Sequence, residues 1–96
     1  MIPSVGPDAD RELTDGAIYY AREADADLGL AFIEEFERAL ELLCAYPQLG
    51  APWRGRRRFP LRRFPYSIIY YVMGENLRVI AIAHHRRRPG YWTGRE

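Results

Sequence analysis

The sequence predicts an α+β domain, with a short amino-terminal strand and an antiparallel helical hairpin packed on a small antiparallel sheet, in the order β-α-α-β-β-β. Three observations carry this. Apolar residues recur with helical spacing through the first half, the pattern stops at Pro47 and Gly50, and two runs rich in β-branched and aromatic residues follow with a glycine turn between them.

Met1 to Val5 has room for a short strand, and Gly6-Pro7-Asp8 reads as the turn into a helix start. From about Asp8 to Ala24, Leu13, Ala17, Tyr20, Ala21 and Ala24 share one face of a helix. Asp25 and Asp27 suit the cap and first turn of a second helix, where a carboxylate accepts from free backbone amides and opposes the helix dipole. In that helix Leu28, Phe32, Phe36, Ala39, Leu40 and Leu43 form an apolar stripe, and Glu34, Glu35, Arg38 and Glu41 are expected to face water. Pro47 ends it by pushing Tyr46 out of the helical region. So short a link between the helices predicts a hairpin.

Arg58 to Arg63 allows a short strand that Pro60 confines to an edge or a bulge. Tyr66 to Val72 and Leu77 to His84 are the long strands, joined through Gly74-Glu75-Asn76. Both are apolar on both faces, so each face needs a cover. The helices supply one. The carboxy-terminal segment, or a partner chain, must cover part of the other. Phe36, Leu40, Leu43, Ile69 and Ile82 are the expected core, and His84 is expected to continue the face of Ile80 and Ile82.

The chain has 96 residues, the size of one domain, residues 1–96. Its net charge of +1 hides a division: residues 1–48 carry three arginines against eleven acids, residues 49–96 eleven arginines against Glu75 and Glu96. All the cations are arginine. Segregated charge builds an electropositive surface that suits an anionic or protein partner. The single cysteine, Cys44, cannot form an internal disulfide. No apolar run approaches a membrane span and no signal peptide is evident, so a cytoplasmic location and no membrane partner are expected.

No glycine-rich phosphate loop follows a strand and no nucleophile elbow is present. The adjacent histidines point to opposite sides of a strand, so no metal site is expected. Neither a cofactor nor a small-molecule substrate is expected. What remains gathers towards the carboxy terminus: Arg57, Arg58, Arg62, Arg63, Tyr66, His84, His85, Arg86, Arg87, Arg88, Tyr91 and Trp92. Guanidinium forks match phosphate or carboxylate, aromatic rings stack, and histidine titrates near neutrality. Such a set can bind RNA and, with a base, an acid and cations around the phosphate, cleave it without a metal. The same residues also have structural uses: His84 as a packed strand-end side chain, Trp92 as an anchor of the tail.

Arg63-Phe64-Pro65-Tyr66-Ser67-Ile68-Ile69-Tyr70-Tyr71, followed by Ile80-Ala81-Ile82-Ala83-His84, Arg86, Arg88-Pro89 and Tyr91-Trp92, resembles the RelE/ParE superfamily, the toxins of type II toxin–antitoxin pairs, also called plasmid stabilisation proteins. Pro7-Asp8-Ala9, Glu12-Leu13 and Tyr19-Tyr20 resemble the start of the family's first helix, so the likeness spans nearly the whole chain. It implies a growth-inhibiting toxin neutralised by a cognate antitoxin. ParE-like members poison DNA gyrase; RelE-like members cleave messenger RNA on the ribosome with basic residues on the sheet and a terminal tyrosine. Lysines of the RelE set are absent here, and Ser67 stands where an arginine is expected. A ParE-like toxin is therefore the first reading. The alternatives are a RelE-like endoribonuclease and a non-toxic antitoxin-binding module. In the ribonuclease case Arg86 would hold the scissile phosphate, Tyr91 or His84 would move protons, and Arg62 or Arg63 would stabilise charge. In the binding case Arg57, Arg58, Arg62, Arg63, His85, Arg87, Arg88 and Trp92 would meet the target.

Overall fold

A computed structural model describes residues 1–96. Strand β1 (Ile2–Val5) leads into helices α1 (Pro7–Glu23) and α2 (Ala26–Ala45), followed by strands β2 (Ala51–Trp53), β3 (Arg56–Pro60), β4 (Tyr66–Met73) and β5 (Asn76–His84). The α+β architecture is as the sequence predicts, with two differences. The sheet holds five strands in the order β1-β5-β4-β3-β2, and it is mixed, because β1 runs parallel to β5 while the other pairs are antiparallel. A strand that leaves for a helical hairpin and returns through the sheet has room for the parallel pairing. The additional strand, β2, pairs with β3 through a two-residue turn, with Arg54 at φ 50° and Gly55 at φ 77°. Two positive φ angles fit the twist of a tight hairpin. Arginine is uncommon there, which is why residues 51–56 do not read as a hairpin.

Helix α1 starts with Pro7 in its first turn, and the Gly6 amide donates to the Val79 carbonyl at 2.8 Å. Its buried face is Ala9, Leu13 and Gly16, with Tyr20 half-buried; Ala21 and Ala24, expected on that face, are exposed near the hairpin. Asp25 caps α2, its carboxylate accepting from the Leu28 amide at 2.8 Å. The α2 stripe is as expected, with Phe32, Phe36, Ala39 and Leu43 buried and Leu28 and Leu40 partly so. Glu35 and Arg38 do not simply face water. Glu35 accepts from Arg38 and from the Arg62 amide at 2.6 Å, tying α2 to the β3–β4 connection. Those bonds, led by the one from Arg38, hold its carboxyl below the ordinary glutamate value.

Two apolar layers flank the sheet. Ile68, Tyr70, Leu77, Val79 and Ile82 pack against the helices, while Ile69, Ile80, Ala81 and Ala83 meet Trp92 of the tail. The tail thus covers the second face. Alternation along β5 is interrupted because Ile69 pairs with Ala81 but Tyr70 pairs with Val79, so Ile80 is an extra, bulged residue. For that reason Ile80 and Ile82 lie in different layers, and the face expected for His84 belongs to Ile82 alone. No helix is long and apolar enough to cross a membrane.

Candidate functional site

The pairing register divides the arginines. Arg57 pairs with Tyr70 on the helix side, where its guanidinium donates to the Gly50 carbonyl at 2.8 Å and the Tyr70 hydroxyl donates to the Pro47 carbonyl at 2.7 Å. Arg57 therefore buttresses the turn after α2. Arg58 pairs with Ile69 and lies on the tail side. Its Nε donates to Ser67 Oγ at 3.3 Å, and its guanidinium carbon sits 5.3 Å from the Trp53 ring centre. Ser67 is buried, and its hydroxyl lies 3.0 Å from Nε2 of His85. An unbroken polar chain therefore runs from Arg58 through Ser67 to His85.

This chain forms the wall of a cleft of about 140 Å³ between the sheet and the tail, with Trp53, Arg87, Tyr91 and Trp92 completing it. Arg87 lies over the Tyr91 ring at 3.9 Å, and Trp53 meets Trp92 edge-to-face at 5.7 Å. Trp92 is 3% exposed, and its indole N–H is buried without an acceptor. Ion pairs join Arg11 to Asp8, Arg38 to Glu35, and Arg95 to Asp8 and Glu12; Arg58 and Arg87 have no carboxylate partner.

Glu12, which sequence reasoning noted only for its likeness to the family's first helix, organises the tail. Its carboxylate accepts from the Ile82 amide at 3.1 Å, the Tyr91 hydroxyl at 2.6 Å and Arg95 at 2.8 and 3.3 Å. Arg95 also donates to the Ile80 carbonyl at 3.1 Å. One acid of α1 thus ties the free edge of β5 to the carboxy-terminal segment. An acid in an otherwise apolar first-helix face was the available signal. Burial first, then the bond to Glu12 and its charge, push the Tyr91 hydroxyl well above the ordinary tyrosine value.

His84 and His85 separate as alternation requires, His84 to the helix side and His85 to the tail side. His84 meets Tyr66 edge-to-face at 4.9 Å, and its Nδ1 accepts from the Arg86 amide at 3.0 Å. Burial first, then the nearby Arg86 and His85 charges, lower its pKa. Imidazole of that kind is neutral near pH 7, with its proton on Nε2. A wider depression of about 560 Å³ opens beside it, lined by Tyr19, Tyr20, Pro65, Tyr66, His85 and Arg86. Arg62 and Arg63 are exposed on the β3–β4 connection, Arg63 at φ 68° and over the Phe64 ring; Arg86 and Arg88 are exposed after β5. The geometry thus gathers Arg58, His85, Arg87 and Trp92 around one cleft, puts His84 and Arg86 at another, and uses Arg57 in the fold. No group of three or more His, Cys, Asp or Glu side chains converges.

A family model described as the ParE toxin of type II toxin–antitoxin system, parDE, matches residues 5–89. Among solved structures, a chain of the chromosomal ParDE TA system from P. aeruginosa superposes with a TM-score of 0.76 at 19% identity, over 88% of this chain and 95% of that one. That is a likeness of fold. No curated protein sequence matches.

Proposed function

The chain belongs to the ParE toxin family of type II toxin–antitoxin systems, and from that premise we propose that it acts in the cytoplasm by binding DNA gyrase as a protein surface, and is neutralised by a cognate antitoxin. The observation that carries the choice of target is the state of the two candidate proton-transfer groups. A metal-free ribonuclease needs a base for the 2′-hydroxyl and an acid for the leaving oxygen. Tyr91 donates its proton to Glu12 and holds it more tightly than an ordinary phenol. The Nδ1 of His84 is occupied by the Arg86 amide, which leaves Nε2 protonated and unable to accept. Ser67, where the ribonuclease set has a cation, is buried between Arg58 and His85. Surface binding needs none of these groups free. An acidic antitoxin fits the arginine-rich rim, and the exposed Ile18, Tyr19 and Leu30 of the helices offer it apolar contacts.

The test is induction of the chain in cells alongside purified gyrase. We expect loss of supercoiling and DNA breaks before any messenger cleavage, with toxicity surviving Tyr91→Phe. Ribosome-dependent messenger cleavage that vanishes in a folded Tyr91→Phe variant would establish the ribonuclease alternative instead.

A further inference from the structure

We propose that the cleft between the sheet and the tail binds a single phosphate group, supplied by a polynucleotide backbone, through Arg58, Arg87 and the indole N–H of Trp92. This goes beyond the gyrase reading and does not rest on it.

Two independent features point to an oxyanion. First, Arg58 and Arg87 line the cleft and neither has a carboxylate partner, although three other arginines are paired. Each is instead oriented by an aromatic ring, Arg58 by Trp53 and Arg87 by Tyr91, and Arg58 is further held through Nε by Ser67. Stacking and the Nε bond fix the plane of a guanidinium and leave its terminal nitrogens to donate, the arrangement that suits a phosphate. Second, the Trp92 indole N–H is an orphan donor in a side chain 3% exposed. A buried donor without an acceptor is uncommon and calls for a partner. Donors dominate the wall, and the nearest carboxylate, Glu12 behind Tyr91, is already neutralised by Arg95. The His85 imidazole and Ser67 hydroxyl bond to one another on the same wall.

Size selects the ligand further. About 140 Å³ admits a phosphate group and little more, well below the ~300 Å³ at which pockets for whole organic ligands begin. A base or sugar must therefore stay outside. Arg86 and Arg88 are exposed on the segment that borders the cleft, where they can meet neighbouring phosphates of a strand. A chain of phosphates thus gains contacts that a free one lacks.

Both tryptophans of the protein line this cleft, so the isolated protein carries its own reporters. Inorganic phosphate, a 5′-mononucleotide and a single-stranded oligonucleotide are titrated at constant ionic strength. Binding is followed by the proton–nitrogen resonance of the Trp92 indole and by tryptophan fluorescence. The expected result is a downfield shift of the Trp92 resonance with all three, tightest for the oligonucleotide, with chloride inert. Arg87→Gln, an exposed change that leaves the core intact, should weaken binding about tenfold, and Arg58→Gln at least as much, as expected for losing one charge-assisted contact. A Trp92 resonance unmoved by every probe overturns the site and leaves the indole N–H facing the Trp53 ring. Oligonucleotide binding that Arg87→Gln and Arg58→Gln do not alter also overturns it. A response to phosphate with no gain from the oligonucleotide refutes the polynucleotide source and assigns the cleft to a free phosphate compound.

Discussion

Replacing Glu12 by alanine should release the tail and cost a large share of the stability. The carboxylate receives the Ile82 amide, the Tyr91 hydroxyl and two donors of Arg95, and its side chain is 14% exposed against 19% for Arg95. Hydrogen bonds to a charged group contribute ~1.5–3 kcal/mol each, and removing one partner of a fully buried ion pair costs ~3–5 kcal/mol. These groups keep some access to water, and Arg95 retains the Ile80 carbonyl and Asp8, so about 2–4 kcal/mol is expected for Glu12→Ala. A small domain has only ~5–15 kcal/mol in total. At roughly 4–8 °C per kcal/mol the melting temperature should fall by about 10–25 °C. Glu12→Gln keeps an acceptor but loses the ion pair and should fall about half as far. Thermal unfolding followed by circular dichroism gives the stability, and tryptophan fluorescence gives the order of the tail, because Trp92 leaves the sheet when the tail does. An alanine variant that melts within about 2 °C of the parent, with Trp92 still buried, would refute the clamp. The same contacts fix a sign with pH. A raised folded pKa means that the contribution of Tyr91 is complete below the unfolded value near ~10 and is lost as pH rises through the folded value. Near-ultraviolet titration should find Tyr91 among the last tyrosines to ionise.

Three further outcomes are expected. Phe36→Ala removes a side chain 4% exposed in the main core and should cost about 3–5 kcal/mol in urea unfolding; an unchanged midpoint would mean that the stripe of α2 faces elsewhere. Gly29→Ala should destabilise by about 1–3 kcal/mol although alanine favours helix, because a methyl there comes within 2.7 Å of the Ala17 carbonyl oxygen and must push the helices apart; a more stable variant would contradict the close approach. Stability should decline in acid in two stages. His84, lowered by burial and its cationic neighbours, withdraws its contribution as pH falls below the unfolded value near ~6.5, and Glu35, lowered by Arg38, withdraws its own below ~4.5. His84→Gln should flatten the first stage and Glu35→Gln the second.

The elements were legible because each rests on local chemistry: the stripe from Phe32 to Leu43, the Asp25 cap, and the β-rich runs on either side of Gly74. What the sequence concealed depends on pairing across distance. The parallel partner of β1 is chosen by where the helical hairpin returns the chain, and the β2–β3 hairpin turns on an arginine in a conformation that favours glycine. The basic carboxy-terminal constellation was visible as composition, but its division was not. Register alone sends Arg57 to the turn after α2 and Arg58 to the cleft. Trp92 reads equally well as anchor or contact until its burial is known. Glu12 and Arg95 stand 83 residues apart, and no spacing rule links them.

The bulge at Ile80 makes the residue count along β5 more consequential than the residues themselves. Shortening the strand by that one position would reverse the parity of everything after it, carrying His84 to the tail side and His85 beneath the helices while leaving the composition almost untouched. A related chain that lacked the extra residue would present the same His-His-Arg-Arg-Arg run with its chemistry turned inside out. Aligning such chains by identity alone would pair residues that occupy opposite surfaces, whereas counting from the Gly74 turn would not.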